Sequence, residues 1–144
     1  MIIENRRAGF EYFLTEKFSA GIVLTGSEIK SIRAGKANIT DGFCSFSNDE
    51  LFLRNVYISE WKFATINNHT PVRDRKLLLK RTELKKLLTK TKEKGYTIVP
   101  TKIFFSEKGL AKIEIALAKG KKLYDKRDDL KTKDAKRAIS RTEL

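Results

Sequence analysis

The stretch AGIVLTGSEIKSIRAGKANITDGF, residues 20–43, decides how this chain is read. Residues 21–24 are a short β-branched and aliphatic run closed by Thr25 and Gly26, the pattern of a buried strand that ends in a turn. From Ser27 the spacing becomes helical, with Ile29 and Ile32 three apart on one side and Lys30 and Arg33 on the other. Gly35 predicts the end of that short helix, and Gly42 punctuates the approach to a further strand at Phe43. Strand, helix and strand together turn Lys30, Arg33, Lys36 and Asn38 outward from a packed unit. That arrangement suits holding a folded polyanion in one place.

The whole chain has 144 residues and two prolines, material for one domain with a single core. Lys and Arg number 31 against 18 Asp and Glu, a formal charge of +13 with an isoelectric point near 9.9. On so small a protein that charge points to nucleic acid first, because acidic residues would serve solubility at least as well. No apolar run reaches the ~20 residues of a membrane span and no signal peptide precedes Asn5, so a cytoplasmic protein without a membrane partner is expected. The single cysteine, Cys44, permits no internal disulfide, and in the strand-like run 43–46 it reads as a small core residue. The single histidine, His69, lies far from Cys44 and has no partner ligands, so neither a metal or cofactor site nor a catalytic triad is expected.

The other elements follow from periodicity and turn signals. Phe10 and Phe13 suit one helical turn, after which the segment becomes extended, and residues 18–24 predict the first strand. CSFS, a turn at Asn48 and Asp49, and ELFLRNVYI predict a hairpin. Trp61 and Phe63 follow in an irregular segment, and INNHTPVRDR predicts a surface loop containing His69. Leu77, Leu78, Leu84, Leu87 and Leu88 predict one long amphipathic helix over residues 74–94, with Asp74 as its cap and Gly95 at its end. Its other face carries a row of lysines that reads most simply as a solvated surface, whereas Arg75 and Lys76, beside the loop, are candidate binding residues. YTIVPTKIFF and LAKIEIALA, joined by a turn at residues 107–109, predict two further strands, with Pro100 marking an edge or a bulge.

The sum is a mainly β, α+β domain over residues 1–118, with about six strands and about three helices. Closing such a sheet into an antiparallel β-barrel of the oligonucleotide-binding (OB) type would remove its edges. Residues 119–144 differ in character: ten Lys and Arg against five Asp and Glu give them a net +5, with few large apolar residues. Such a segment buries too little surface to offset its ordering entropy, so a flexible, disordered basic tail that folds against RNA is expected.

NRRAGFEYF, AGIVLTGSEIKSIRAGKANITDGF, RKLLL, GYTIVP and AKGKKLYDKRDDL, in that order, closely resemble the transfer-messenger RNA (tmRNA) binding proteins of bacteria, the small protein B (SmpB) family. The resemblance covers essentially the whole chain, and the order and spacing of several long blocks make it specific. It implies an OB-type barrel with a basic C-terminal tail, no enzymatic activity, and a monomer in the RNA complex. It also implies the job: binding the tRNA-like domain of tmRNA and delivering it to stalled ribosomes for trans-translation. Carried over by motif, Asn5, Arg6, Arg7, the region of Lys30, Arg33, Lys36 and Asn38, Leu78 and Lys112 fall on the RNA-binding side. For the basic members the chemistry agrees, since Lys and Arg neutralise phosphates. Leu78 fits either an apolar contact to an unstacked base or a place in the core. One position departs from the family: Ser19 stands where relatives usually carry a glutamate that contacts RNA, and serine offers a weaker, uncharged acceptor.

The same resemblance assigns Lys119, Lys121, Lys122, Tyr124, Asp125, Lys126 and Arg127 to the ribosome, at the 16S rRNA of the decoding centre, with the remaining tail entering the empty mRNA channel. Tyr124 could stack on a ribosomal base, a contact worth about 1–3 kcal/mol. Two other readings stay open on the residues alone. One is a general single-stranded-RNA-binding or ribosome-associated OB-barrel protein. The other is an enzyme acting on RNA, for which no metal-ligand cluster, nucleotide loop or acid–base pair is visible.

Overall fold

In the computed structural model of the protein, residues 2–63, 68–93 and 95–120 are described. The chain runs β1 (Ile2–Glu4), α1 (Ala8–Glu11), β2 (Tyr12–Ile22), α2 (Gly26–Arg33), β3 (Ala37–Asn38), β4 (Phe43–Ser47), β5 (Glu50–Arg54), β6 (Tyr57–Ile58), β7 (Arg75–Leu78), α3 (Arg81–Thr91), β8 (Tyr96–Phe105) and β9 (Ala111–Gly120). Seven strands form one antiparallel sheet in the order β1-β8-β4-β5-β7-β2-β9, and β9 pairs in turn with β8. The short strands β3 and β6 make a separate two-stranded sheet.

The helix at residues 26–33 forms where the spacing predicts it. Its start is fixed by a capping box: the Glu28 backbone N–H donates to Thr25 Oγ1 at 3.3 Å, and the Thr25 N–H donates to Glu28 Oε1 at 2.9 Å. Gly35, at φ 75°, releases the chain from it. The β4–β5 hairpin is equally direct, with Asn48 and Asp49 at φ 53° and 65°, the backbone that a two-residue turn of matching twist requires. Pro100 sits at a bulge, where the β8–β9 register shifts between Pro100 and Lys102.

One face of the large sheet holds the core: Phe18, Ala20 and Ile22 of β2 meet Leu51, Leu53, Ile98, Ile103, Ile113, Ile115 and Leu117. Ile32 of α2 and Leu87 of α3 insert into the same cluster. Cys44 is buried there, and burial pushes its thiol far above the usual range, so it stays protonated. A smaller cluster of Ala8, Val99 and Ala118 packs α1 onto the sheet's other face.

Several expectations need correction. The predicted helix over 74–94 is a strand followed by a shorter helix. Arg75 and Leu77 are buried while Lys76 and Leu78 point outward, a period of two, and β7 is held by pairing with β2 and β5. Asp74 therefore caps nothing; α3 starts after Lys80, whose N–H donates to Glu83 Oε1 at 3.1 Å, and ends at Thr91, ahead of Gly95. The strand expected at 18–24 is β2, which begins at Tyr12 and stops at Ile22, so Phe13 lies in a strand and not in a helical turn. Within the predicted surface loop, His69 is buried, while Ile66 and Asn67 lie outside the described residues. The strands number nine among the described residues: β1 and β3 are too short to show as patterns, β7 lies in the predicted helix, and the predicted strand over 50–58 divides into β5 and β6. Finally, β9 continues through Gly120, so Lys119 belongs to the sheet and the folded body extends past residue 118. The expected tail residues Lys121, Lys122, Tyr124, Asp125, Lys126 and Arg127 lie outside the described residues.

Candidate nucleic-acid interface

Outward positions of five adjacent strands line up in one row, four of them carrying side chains. Leu78 of β7 pairs with Gly21 of β2, Gly21 with Lys112 of β9, Lys112 with Phe104 of β8, and Phe104 with Ile2 of β1. Leu78 is 53% exposed and Ile2 55%, so the alternative left open for Leu78 closes: it is a surface residue, not core. Gly21 keeps the row close-set, since a Cβ there would lie 3.4 Å from the Leu78 Cβ. Lys102 Nζ lies 5.8 Å from the Phe104 ring centroid, and Lys112 is the cross-strand partner of Phe104. Ser19, exposed, lies in the next row opposite Glu114. An apolar and aromatic strip edged with ammonium groups offers base faces and phosphates what each needs.

Helix α2 brings the second group of cations to this end of the sheet. The Arg33 guanidinium lies over the Phe105 ring at 4.3 Å from its centroid, and its Nη2 donates to the Gly109 carbonyl at 3.3 Å. That contact ties the last turn of α2 to the β8–β9 hairpin carrying Lys108 and Lys112. Lys30 and Lys36 are exposed and, like Lys108 and Lys112, have no ion pair among the described residues. Asn38 is exposed, and its Oδ1 accepts the Thr40 N–H at 2.8 Å.

A buried anchor positions α2. The Glu28 carboxylate, with no exposed surface, accepts Arg73 Nη2 at 2.7 Å, Arg73 Nε at 3.0 Å and Arg75 Nε at 2.7 Å. Burial pushes this carboxyl up, but the bonds from Arg73, the Thr25 backbone and Arg75 outweigh it, and Glu28 titrates below its ordinary range. Arg75 also donates to the carbonyls of Val56 at 2.9 Å and Pro71 at 3.1 Å. Beside it His69 Nε2–H donates to the Ile58 carbonyl at 2.8 Å, which leaves Nδ1 to accept the Ser27 hydroxyl, also at 2.8 Å.

This geometry sorts the candidates. Arg75 is corrected from a surface phosphate contact to the cation of a buried ion pair. Lys76 is exposed in part but held by Glu50 at 2.6 Å, and Arg7 by Glu11 at 2.6 Å, so neither charge is free. Asn5 is buried, its Nδ2 donating to the Pro100 carbonyl at 2.9 Å, and so stitches the N-terminal segment to β8. Arg6 is exposed with no ion pair among the described residues. Lys119 pairs with Phe13 and Tyr96 in the sheet, its Nζ 5.8 Å from the Tyr96 ring centroid. Residue-type reasoning missed Phe104, Ile2 and Lys102; the signal that could have found them is the alternation of β8 read together with its register.

Among the described residues no group of three or more His, Cys, Asp or Glu could hold a metal ion, and no helix is long and apolar enough to cross a membrane. A family model described as SmpB protein matches residues 2–143. The SsrA-binding protein of Bacteroides thetaiotaomicron is 53% identical over 139 residues, spanning 96% of this chain and 93% of the relative. That of Flavobacterium johnsoniae is 55% identical over 139 residues, spanning 96% and 92%. A solved structure described as "tmRNA-SmpB: a journey to the center of the bacterial ribosome" is 45% identical, covers 98% of this chain and 99% of that one, and superposes with a TM-score of 0.73.

Proposed function

The chain belongs to the SmpB protein family, and from that membership together with the interface above we propose that it binds the tRNA-like domain of tmRNA and delivers it to stalled ribosomes for trans-translation. The observation that carries the reading is the row Leu78–Gly21–Lys112–Phe104–Ile2, bordered by cations of α2 and the β8–β9 hairpin that have no ion pair among the described residues. Such a surface suits a folded RNA with unstacked bases: lysines neutralise phosphates, and the apolar strip receives exposed base or sugar faces. The circuit of pairings that leaves β8 and returns to it through β9 supports a closed barrel of the OB type, with its outer wall as the binding face. The protein works by binding, as a partner of RNA and not as a catalyst. Residues 121–144 are proposed to reach the decoding centre and the vacant mRNA channel, where Tyr124, Asp125, Lys126 and Arg127 would contact 16S rRNA. The test is competition: labelled tmRNA and the full chain, with an equal mass of tRNA as competitor. Complex that survives supports the reading. Equal displacement by tRNA would reduce the protein to a general RNA binder.

A further inference from the structure

Asn38 and Tyr57 face each other across the two-stranded β3–β6 sheet, which is separate from the sheet that carries the Leu78–Ile2 row. With Asp41, Asn55 and Val72 they line a surface pocket of about 190 Å³. Tyr57 is 49% exposed and Val72 47%, so the pocket opens an aromatic and a β-branched side chain to solvent. The walls are fixed. Asn55 holds a left-handed backbone at φ 60°, and its Nδ2 donates to the Asp41 carbonyl at 3.1 Å. Asn38 spends its Oδ1 on the Thr40 N–H. Beneath them Ile58 N donates to the Pro71 carbonyl and Ser59 N to the Lys36 carbonyl, both near 3 Å.

Each amide is therefore used on one side only. Asn38 keeps its Nδ2 donors and Asn55 its Oδ1 acceptor, with no partner for either among the described residues. An aromatic face, a β-branched neighbour, one unspent amide donor and one unspent amide acceptor match what an unstacked nucleobase presents: a π-face to stack and an edge of mixed donors and acceptors. Lys36, exposed and without an ion pair among the described residues, lies two residues before Asn38 and supplies a nearby charge in the chain for the phosphate of such a base.

We infer that the Asn38–Tyr57–Val72 pocket receives one unstacked RNA base, stacked on Tyr57 with its edge read by Asn38 and Asn55. The inference rests on the RNA-binding reading above and adds a subsite to it. The base could come from tmRNA or from ribosomal RNA; the chemistry is shared, and the experiment separates the two.

The full chain and its Tyr57→Ala, Tyr57→Phe, Tyr57→Leu and Asn38→Asp variants are titrated with tmRNA, and, as preformed tmRNA complexes, with ribosomes. Loss of one stacked base lowers affinity for the RNA that supplies it about 5- to 150-fold in Tyr57→Ala. Tyr57→Phe keeps wild-type affinity within about twofold, whereas Tyr57→Leu falls with Tyr57→Ala. Asn38→Asp preserves the acceptor for Thr40 and removes the donor, so it loses about fivefold, the worth of one hydrogen bond. The salt dependence of Tyr57→Ala stays that of the wild type, since stacking releases no counterion, while Lys36→Ala flattens it. A Tyr57→Trp probe in a Trp61→Phe background is quenched by tmRNA alone if tmRNA supplies the base, and only by ribosomes if rRNA does. Wild-type affinity of folded Tyr57→Ala for both RNAs, parity of Tyr57→Leu with Tyr57→Phe, or a probe that neither RNA quenches would each overturn the pocket. Loss in Lys36→Ala without loss in Tyr57→Ala removes the pocket alone; failure of the wild type to prefer tmRNA over tRNA removes the parent reading.

Discussion

Glu28→Gln should cost this protein about 3–5 kcal/mol of stability, although it changes a single atom type at a position that touches no ligand. The carboxylate has no exposed surface and accepts three guanidinium N–H groups and one backbone N–H. Glutamine keeps one acceptor oxygen but turns an NH2 toward Arg75 or Arg73 and removes the negative charge. Arg73 is 33% exposed and can turn to water, so its loss adds about 0–1 kcal/mol at most. Arg75 has no exposed surface and no such escape. Its charge stays buried with two carbonyls and no carboxylate, which is the costly half of breaking a buried pair. Against a total of about 5–15 kcal/mol for a domain, the loss is large. Urea unfolding followed by circular dichroism at pH 7 reads it as a lower midpoint at unchanged slope. The pH dependence has a definite sign. Glu28 has a lowered folded-state pKa, so its contribution is complete above the unfolded carboxylate value of about 4.3 and disappears as pH falls through the folded value. The wild type should therefore lose stability below about pH 4.3 more steeply than Glu28→Gln. A loss under about 1 kcal/mol at pH 7, with parallel acid limbs, would refute the anchor.

Three further outcomes follow from the same geometry. Lys112→Ala should weaken tmRNA binding and flatten its salt dependence by about 0.7–0.9 units of slope, while Lys76→Ala, already neutralised by Glu50, should leave the slope unchanged; both are read by filter binding across a salt series. Gly42→Ala should destabilise by about 1–3 kcal/mol in thermal or urea unfolding, because the new Cβ would sit 2.5 Å from Val56 Cγ2 and 3.1 Å from Pro100 Cγ. Truncation after Gly120 should leave tmRNA binding nearly intact and abolish tagging of nascent chains on stalled ribosomes; full-rate tagging by the truncated protein would make the tail a solubility device.

What was legible in the sequence was whatever a local pattern encodes. The helical spacing of α2 closed by Gly35, the Asn48–Asp49 turn and the two-faced β8–β9 pair all carry their signal within a few residues. Residues 74–80 did not, because RKLLLK offers a leucine run that fits the helical spacing of the true helix behind it. Only the pairing of Leu77 and Leu78 with Ile22 and Gly21 decides for a strand, and that partner lies more than fifty residues away. Arg75 failed for a related reason. An arginine beside a polar loop looks exposed until its acceptor is known, and Glu28 is 47 positions distant in the chain. The family blocks located the RNA-binding side, but they could not say which of its members hold RNA and which hold the fold.

That division is the more useful lesson of the charge. A surplus of +13 suggests a protein coated with phosphate contacts. Yet among the described residues Arg7, Lys17, Arg54, Arg73, Arg75, Lys76, Lys86 and Lys90 are each matched to a carboxylate within 4 Å. Such cations release few counterions when RNA arrives, since an acid already neutralises them, and they must break a contact to take part. The β5–β7 surface, where Arg54 meets Asp74 and Lys76 meets Glu50, is thus electrostatically self-contained. Among the described residues, cations without an ion pair include Lys80, Arg81, Lys85 and Lys92 on and beside α3, and a second set, Lys30, Lys36, Lys108 and Lys112, on α2, the segment after it and the β8–β9 hairpin, beside the Leu78–Ile2 strip. Affinity for a polyanion should follow that unneutralised set, and substitution of the paired lysines should change stability and pairing partners before it changes binding.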